Sequence, residues 1–238
     1  MSIPRLFVPH PGSAHEGLQL LLDAAQARHL WVLRLPRGSA LELVLESGPW
    51  RADLSEIDKD HALARLVAPL KEDREAPFPI LAYIPVTAQL SLLDDLLPPL
   101  VELGATAIQP VVFRRSEFDA AKAAARFERW QRIVRGACEQ SHRSRVPGFA
   151  LPVPFEALLA VDAAQRWVAH ELPSGQGNPR LERGPVAFTS GPEGGLTDGE
   201  YAALTGAGWQ PVHLGGSILR AVTCPVALMG AIRFAMPR

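Results

Sequence analysis

Two glycine-rich loops near the end of the chain are the segments best suited to binding a ligand. The apolar run 186–189 precedes Gly191-Pro192-Glu193-Gly194-Gly195, and the run 211–214 precedes Gly215-Gly216-Ser217. Because glycine has no Cβ, a strand that ends in glycines can bring bare backbone N–H groups close to a ligand. The same composition is also typical of two ordinary turns on a buried sheet.

The residues after the first loop predict a helix that would hold it. Thr197 and Glu200 have the spacing of a capping box, so a helix should begin near Asp198. Gly206 and Gly208 are suited to ending it. A strand, a glycine loop and a helix in this order are typical of ligand sites in α/β proteins.

A last helix should follow the second loop. Thr223 is the expected N-cap, and Pro225 is tolerated in a first helical turn. Residues 226–234 are apolar nearly all round, which predicts a buried helix.

A basic stretch lies in the middle of the chain. Residues 114–145 hold nine Lys/Arg and four Asp/Glu, a net charge of +5 in a chain whose formal net charge is −1. Such a stretch is usually a solvated helix face, but its concentration here favours contact with an RNA backbone. Arg114 and Arg115 are stronger candidates than the helical arginines, because they follow a strand and ligands bind at that edge of a parallel sheet.

The elements that would position these residues divide into two groups. Residues 1–70 contain strand patterns at 41–45, 51–57 and 62–68 and a helical pattern at 24–33, which together suggest a small barrel. Residues 71–79 are charged and proline-flanked, as expected of a linker. In residues 80–238 strands alternate with helices, which predicts an α/β domain with a parallel sheet and helices on both faces.

Two helices are expected between the first strands of this second domain. Ser91 and Asp94 predict the start of one, in which Pro98-Pro99 should cause a kink or a break. Ser116 and Asp119 predict the start of the other, which should run to about Ser141.

Composition narrows the class of protein. With 238 residues and 47% hydrophobic content, the chain can bury a substantial core. Its two cysteines, Cys138 and Cys224, support neither a disulfide framework nor a metal motif, and we expect reduced thiols and no metal. The absence of a signal-peptide pattern and of a long apolar run leads us to expect a cytoplasmic protein that does not enter a membrane.

Five groups of residues, in order along nearly the whole chain, resemble one family. They are His29 with Val32-Leu33-Arg34, Glu102-Leu103-Gly104 with Gln109-Pro110, Glu139-Gln140-Ser141 with Arg143 and Val146-Pro147, the GPEGG loop, and Leu214-Gly215 with Ile218-Leu219-Arg220. Together they resemble the SPOUT methyltransferases, and within them the RsmE family, which methylates N3 of a uridine in bacterial 16S ribosomal RNA.

The resemblance implies a fold, a cofactor and partners. It implies a trefoil-knotted domain at 80–238, a PUA-like RNA-contact barrel at 1–70, a homodimer formed through the C-terminal region, and the small ribosomal subunit as partner. It implies S-adenosylmethionine held mainly by backbone groups of three loops. The cofactor-binding candidates are Leu172, Gly191, Pro192, Glu193, Gly194, Gly195, Leu214, Gly215, Ile218 and Leu219. The RNA-binding candidates are Arg114, Arg115, Arg129, Arg143 and Arg34.

The candidate catalytic residue is Arg220. Methylation at N3 removes a proton from the uridine ring, and a cation beside the methyl donor would stabilise the resulting negative charge. The alternative role for Arg220 is an ion pair that holds its own loop.

The chain departs from its family at three charged positions. Ser217 stands where the family has arginine, Val222 where it has glutamate, and Pro99 where it has lysine. If the family's arginine and glutamate at positions 217 and 222 brace each other, losing both removes a brace and leaves the catalyst in place. The departures also allow a second hypothesis, a non-catalytic RNA-binding relative that keeps the fold and the cofactor pocket. A nucleotide-binding oxidoreductase is disfavoured, because no GxGxxG motif follows an early strand.

Overall fold

The computed structural model describes residues 3–71, 74–170 and 177–236. Contacts between residues divide the chain into two units. The first contains the N-terminal residues up to Arg74 together with Glu139–Ser144, and the second contains Glu75–Cys138 and the residues from Arg145 onward. The division lies within the segment predicted as a linker. The short segment from the middle of the chain was not expected in the first unit.

The first unit is built on a five-stranded sheet in the order β1-β3-β4-β5-β2. β1 pairs with β3 in parallel, and the remaining neighbours pair antiparallel. A single helix, α1, precedes β3. The elements are β1 (Arg5–Phe7), β2 (Gln19–Leu22), α1 (Ala24–Val32), β3 (Ala40–Leu45), β4 (Gly48–Ile57) and β5 (Ala62–Pro69).

One face of this sheet and one side of α1 enclose the core of the first unit. Leu41, Leu43 and Leu54 are fully buried there beside Leu30 of the helix. The three strands and the helix expected in this region are all present. β1 and β2 were not predicted, because strands of three and four residues are too short to show an alternation of apolar and polar residues.

A buried charged cluster connects Glu139–Ser144 to this sheet. Arg5 of β1 is 3% exposed, and its Nε donates to Glu42 Oε2 at 2.8 Å. Another nitrogen of Arg5 donates to the His142 carbonyl at 2.6 Å, while His142 Nδ1 lies 2.9 Å from Glu42 Oε2. Burial alone would raise the pKa of Glu42, but hydrogen bonds from His142 and Arg5 outweigh it and hold that pKa below its usual value. The carboxylate therefore stays ionised and joins two segments that are distant in sequence.

The second unit is an α/β layer structure around a seven-stranded sheet. Its main order is β12-β10-β11-β6-β7-β8, with β9 also pairing with β7. The strands are β6 (Ile80–Pro85), β7 (Ala107–Val112), β8 (Gly148–Phe149), β9 (Val153–Pro154), β10 (Gln165–Ala169), β11 (Val186–Thr189) and β12 (Gln210–Val212). The helices are α2 (Leu92–Glu102), α3 (Ala120–Gln140), the 3-10 helix Phe155–Ala160, α4 (Asp198–Gly206) and α5 (Thr223–Ala235).

Every strand pair described in this sheet is parallel, as predicted. Parallel strands have their carboxyl ends at the same edge. β12, β10 and β11 are neighbours, so the loops that follow Ala169, Thr189 and Val212 all leave the sheet side by side. This arrangement brings together segments that are up to 43 residues apart between the ends of β10 and β12.

Two predicted helix starts are wrong in detail. Ser91 is in a helical conformation and its side chain makes no capping hydrogen bond, because a preceding tight turn already satisfies the first N–H groups. Thr223 lies inside α5 and does not cap it, since both its N–H and that of Cys224 donate to the Arg220 carbonyl. The capping box of Thr197 and Glu200 forms as predicted.

The structure also tests two predictions about helix interiors. α2 is not split at Pro98 and Pro99: it runs from Leu92 to Glu102 as one helix, with five buried apolar residues that offset the two missing N–H donors. α5 is buried on one side only: Leu228, Met229 and Ile232 are buried, whereas Phe234 is 94% exposed. Within the described ranges, no helix is both long and apolar enough to cross a membrane.

Candidate functional site

A cavity of about 670 Å³ lies at the carboxyl edge of the parallel sheet in the second unit. Three segments line it: Ala169 and His170 at the end of β10, residues 190–193, 195 and 196 after β11, and residues 212–215 and 217–222, which begin with the last residue of β12. Leu92 and Cys224 complete the wall. The two glycine loops singled out from the sequence therefore face one common space.

The GPEGG loop follows a strand in which all four residues are buried. A Cβ built on Gly191 would lie 2.9 Å from the backbone nitrogen of Leu196, so glycine is required there by the fold of the loop itself. Gly195 has a φ of +68°, and its N–H donates to the Pro192 carbonyl at 2.8 Å. The result is a tight turn with its backbone at the cavity wall.

Arg115 supports this loop from outside the cavity. One guanidinium nitrogen donates to the Gly194 carbonyl at 2.7 Å and to the Leu196 carbonyl at 3.3 Å. A Cβ on Gly194 would lie 3.1 Å from the Cβ of Arg115, so the arginine stem packs directly on the loop. Gly194 contacts this brace and is not among the residues that line the cavity.

The carboxylate of Glu200 joins the segment after β7, which carries Arg114 and Arg115, to the start of α4. It accepts the N–H of Arg114 at 2.7 Å, and both the N–H and the hydroxyl of Thr197 at 2.8 Å. Burial alone would raise the pKa of Glu200, but the hydrogen bonds from Arg114 and Thr197 outweigh it, and that pKa lies below its usual value. An ionised Glu200 thus holds the end of β7 against the start of α4.

The loop after β12 is the more open side of the cavity. Gly215 has a φ of +102°, a left-handed conformation that favours glycine, and Ile218 is 87% exposed. The side chain of Asn178 anchors the start of the loop, since it donates to the His213 carbonyl at 2.8 Å and accepts the His213 N–H at 2.7 Å.

Arg220 lies at the cavity with an exposed side chain. Its guanidinium makes no ion pair with any residue in the described part of the chain, so the alternative role of holding its loop by an ion pair finds no support there. Its carbonyl accepts the first N–H groups of α5, which fixes its backbone. Ser217 and Val222 line the same cavity; Ser217 is exposed and Val222 is half-buried.

The structure brings most of the predicted cofactor-binding residues together. The cavity is lined by Gly191, Pro192, Glu193, Gly195, Leu214, Gly215, Ile218 and Leu219, with Arg220 beside them. Gly194 contacts Arg115 and is not among the described lining residues, and Leu172 lies outside the described residues. Sequence patterns gave no signal for Ser190, His170 or Cys224, which also line the wall.

The five RNA-binding candidates are not gathered in the same way. Arg114 is exposed, and only its backbone N–H is engaged in the described structure. Arg115 is occupied by the GPEGG loop. The Nε of Arg129 donates to Asp94 at 2.9 Å, and that carboxylate also accepts the indole N–H of Trp130 at 3.0 Å. Arg129 therefore braces α3 against α2.

The remaining two candidates belong to the first unit. Arg143 is 3% exposed, so its guanidinium is not accessible to a phosphate, and the expectation of direct RNA contact by Arg143 is corrected. Arg34 is exposed just after α1, in a left-handed backbone conformation with a φ of +55°.

The cavity fits S-adenosylmethionine on structural grounds. Its size suits a ligand of that class. Its wall is formed largely by the backbone of the glycine loops, and it includes a buried Ser190 hydroxyl with no partner among the described residues. Glu193 and Arg220 are the fully charged side chains among the described lining residues, so polar groups of a ligand would be recognised mainly by backbone and hydroxyl groups.

Comparisons with known proteins agree with this assignment. Residues 74–233 match the family model of the RNA methyltransferase domain. The ribosomal RNA small subunit methyltransferase E of Synechocystis is 35% identical over 222 residues, covering 89% of this chain and 71% of that protein. The protein of the same name from Bacillus subtilis is 31% identical over 218 residues, covering 85% and 84%.

Solved structures resemble the whole chain. A ribosomal RNA small subunit methyltransferase E from Neisseria gonorrhoeae, bound to S-adenosyl methionine, has a TM-score of 0.88 at 33% identity and covers 98% of each chain. A structure from Legionella pneumophila with the cofactor SAM bound has a TM-score of 0.86 at 25% identity, covering 99% of this chain and 98% of that one.

We predict that Gly191→Ala weakens binding of S-adenosylmethionine by at least about tenfold, because the new methyl group displaces the loop backbone at Leu196. Isothermal titration calorimetry measures the change. Gly206→Ala is the matched control, since a Cβ there meets open space within α4 and alanine favours the helix. Unchanged affinity in the Gly191 variant would place the cofactor elsewhere.

Proposed function

The chain belongs to the RNA methyltransferase family, among the relatives named ribosomal RNA small subunit methyltransferase E, and on that premise we propose that it methylates N3 of a uridine in 16S ribosomal RNA. S-adenosylmethionine is the methyl donor. The observation that carries the proposal is the convergence of the GPEGG loop, the loop after β12 and the exposed Arg220 on one cavity. The non-catalytic alternative is not favoured, since these features are intact despite Ser217 and Val222.

The protein's own groups have two tasks in this reaction. When bound, S-adenosylmethionine supplies a methyl group on a positively charged sulfur. The glycine loops hold the donor in a fixed orientation, which lowers the entropic cost of bringing methyl group and base together. Arg220 places a positive charge where the uridine ring becomes negative as its N3 proton leaves.

RNA contact is proposed at the exposed edge of the second unit that carries Arg114. Its backbone is fixed by Glu200 while its guanidinium is left exposed, so the positive charge is presented at a defined place. Phosphate is the group that such a cation recognises. Arg34 is proposed as a further contact from the first unit, which we take to be the PUA-like RNA-contact barrel expected at residues 1–70.

The finer fold description is also a proposal. We infer that residues 80–238 form a trefoil knot and that residues 71–79 link it to the N-terminal barrel. The parallel sheet, with β11 between β6 and β10, is compatible with the knotted fold that the family resemblance implies. Because the proposed substrate is part of the ribosome, the expected location is the cytoplasm.

A homodimer is proposed through the C-terminal helix. Phe234 on α5 is 94% exposed and Ile218 beside the cavity is 87% exposed, which is unusual for large apolar side chains. A second copy that covers these residues would also close the open side of the cavity. The partner subunit would then complete the RNA site.

We predict that Arg220→Ala lowers the rate of methyl transfer at saturating RNA by about 100-fold or more, because it removes a charge interaction made mainly in the transition state. Cofactor affinity should change by less than about threefold, since the proposed partner of Arg220 is the base. The assay is radiolabelled methyl transfer to small ribosomal subunits that lack the modification.

Arg220→Lys is the control for this prediction, because it keeps the charge and should recover part of the activity. Undiminished transfer by Arg220→Ala would assign the stabilising role to another group. No transfer by the wild-type protein, with the cofactor still bound, would support the non-catalytic alternative.

We predict that Arg114→Ala weakens binding to small-subunit RNA and lowers the slope of log affinity against log salt by about 0.7–0.9, the value for one phosphate contact. The backbone hydrogen bond to Glu200 survives this change. Arg132→Ala removes another exposed arginine, on α3, and should reduce the slope less. Equal slopes for the wild type and the Arg114 variant would refute the contact.

We predict that the wild-type protein sediments as a dimer and that Phe234→Glu shifts it to a monomer, because a carboxylate cannot be buried in an apolar interface without a partner. Val32→Glu is the control: it adds the same charge at an exposed apolar residue of the first unit and should leave the dimer intact. A wild-type monomer at every concentration in analytical ultracentrifugation would contradict the proposal.

A further inference from the structure

The cavity wall contains a buried hydroxyl group that has no hydrogen-bond partner among the residues that the structure describes. Ser190 connects the buried strand β11 to Gly191, is 2% exposed and lines the cavity. Its Oγ makes no hydrogen bond within the described part of the chain. Proteins rarely leave a buried polar group unsatisfied, because it has given up its hydrogen bonds to water. A buried hydroxyl at the wall of a ligand cavity is therefore a candidate for contact with the ligand.

Cys224 is the neighbouring side chain that could have satisfied this hydroxyl. It lines the same wall, and burial raises the pKa of its thiol to about 11, so it is neutral at physiological pH. The nearby Ser190 side chain opposes the rise in the pKa of the Cys224 thiol, but the hydroxyl and the thiol do not form a full hydrogen bond. Sulfur is also a weak donor and acceptor. The hydroxyl thus keeps its capacity for a stronger partner.

We propose that Ser190 is a cofactor-binding residue whose side-chain hydroxyl makes a hydrogen bond to a polar group of S-adenosylmethionine. The inference rests on the proposed function and adds a side chain to a site otherwise built from backbone. The hydroxyl can both donate and accept, so either kind of polar group on the cofactor can satisfy it. The residue contributes affinity for the cofactor and takes no part in the methyl transfer itself.

Thr189 provides an internal comparison. It directly precedes Ser190 in the chain, is fully buried, and its Oγ1 also has no hydrogen-bond partner among the described residues. It does not belong to the described lining of the cavity. Both hydroxyls are therefore buried without a partner among the described residues, and they differ in that Ser190 belongs to the described lining of the cavity whereas Thr189 does not.

The test is calorimetric titration of S-adenosylmethionine and S-adenosylhomocysteine into the wild type, Ser190→Ala and Thr189→Val. Ser190→Ala should raise the Kd for both ligands by about 3- to 10-fold, the effect of one neutral hydrogen bond. The two ligands share their hydrogen-bonding groups, so the loss should be similar for both. Thr189→Val should leave both Kd values within about twofold of the wild type.

Thermal unfolding without ligand separates binding from a structural role. Ser190→Ala should unfold at the wild-type Tm or slightly above it, because the hydroxyl it removes is unsatisfied. A lower Tm with unchanged Kd would make Ser190 a structural residue and overturn the inference. Equal losses of affinity in both variants would overturn it as well, since they would reflect disturbance of β11. Failure of the wild type to bind S-adenosylmethionine would instead contradict the proposed function.

Discussion

The carboxylate of Glu200 is the interaction on which the site depends. It accepts hydrogen bonds from the backbone of Arg114 and from Thr197, and so joins the end of β7 to the start of α4. With Arg114 fixed, the adjacent Arg115 is placed to hold the carbonyl groups of the GPEGG loop. A loop of glycines has little rigidity of its own, because glycine loses the most conformational freedom on folding. The two charged residues supply that rigidity from outside the cavity.

A backbone-built site leaves few side chains to mark it. Any side chain at position 191 would bring a Cβ too close to Leu196, so the loop requires glycine there. The shape of this part of the pocket therefore depends on the backbone more than on neighbouring side chains. Ser217 and Val222, the two positions where charged residues of the family are replaced, both line this cavity. Arg220 has a different proposed role, because its side chain is exposed at the cavity and is assigned to the substrate, not to the loop.

The basic stretch turned out to serve several purposes. Arg129 braces two helices through Asp94, Arg115 braces the cofactor loop, and Arg143 is buried in the first unit. A charge count cannot separate these roles, because the partner of each arginine lies far away in sequence. Of the candidates in this stretch, Arg114 is the one that the structure leaves exposed with a fixed backbone.

The sequence by itself determined the parallel α/β architecture, the capping box at Thr197 and the two glycine loops, because these follow from local periodicity and from residues with special backbone preferences. Tertiary structure alone decided that the loops after β10, β11 and β12 share one cavity, since their convergence depends on strand order. It also decided that the Ser190 hydroxyl is buried with no partner among the described residues, and that Glu139–Ser144 packs with the N-terminal sheet. Burial and hydrogen bonding between distant residues have no local signature, so no pattern along the chain could reveal them.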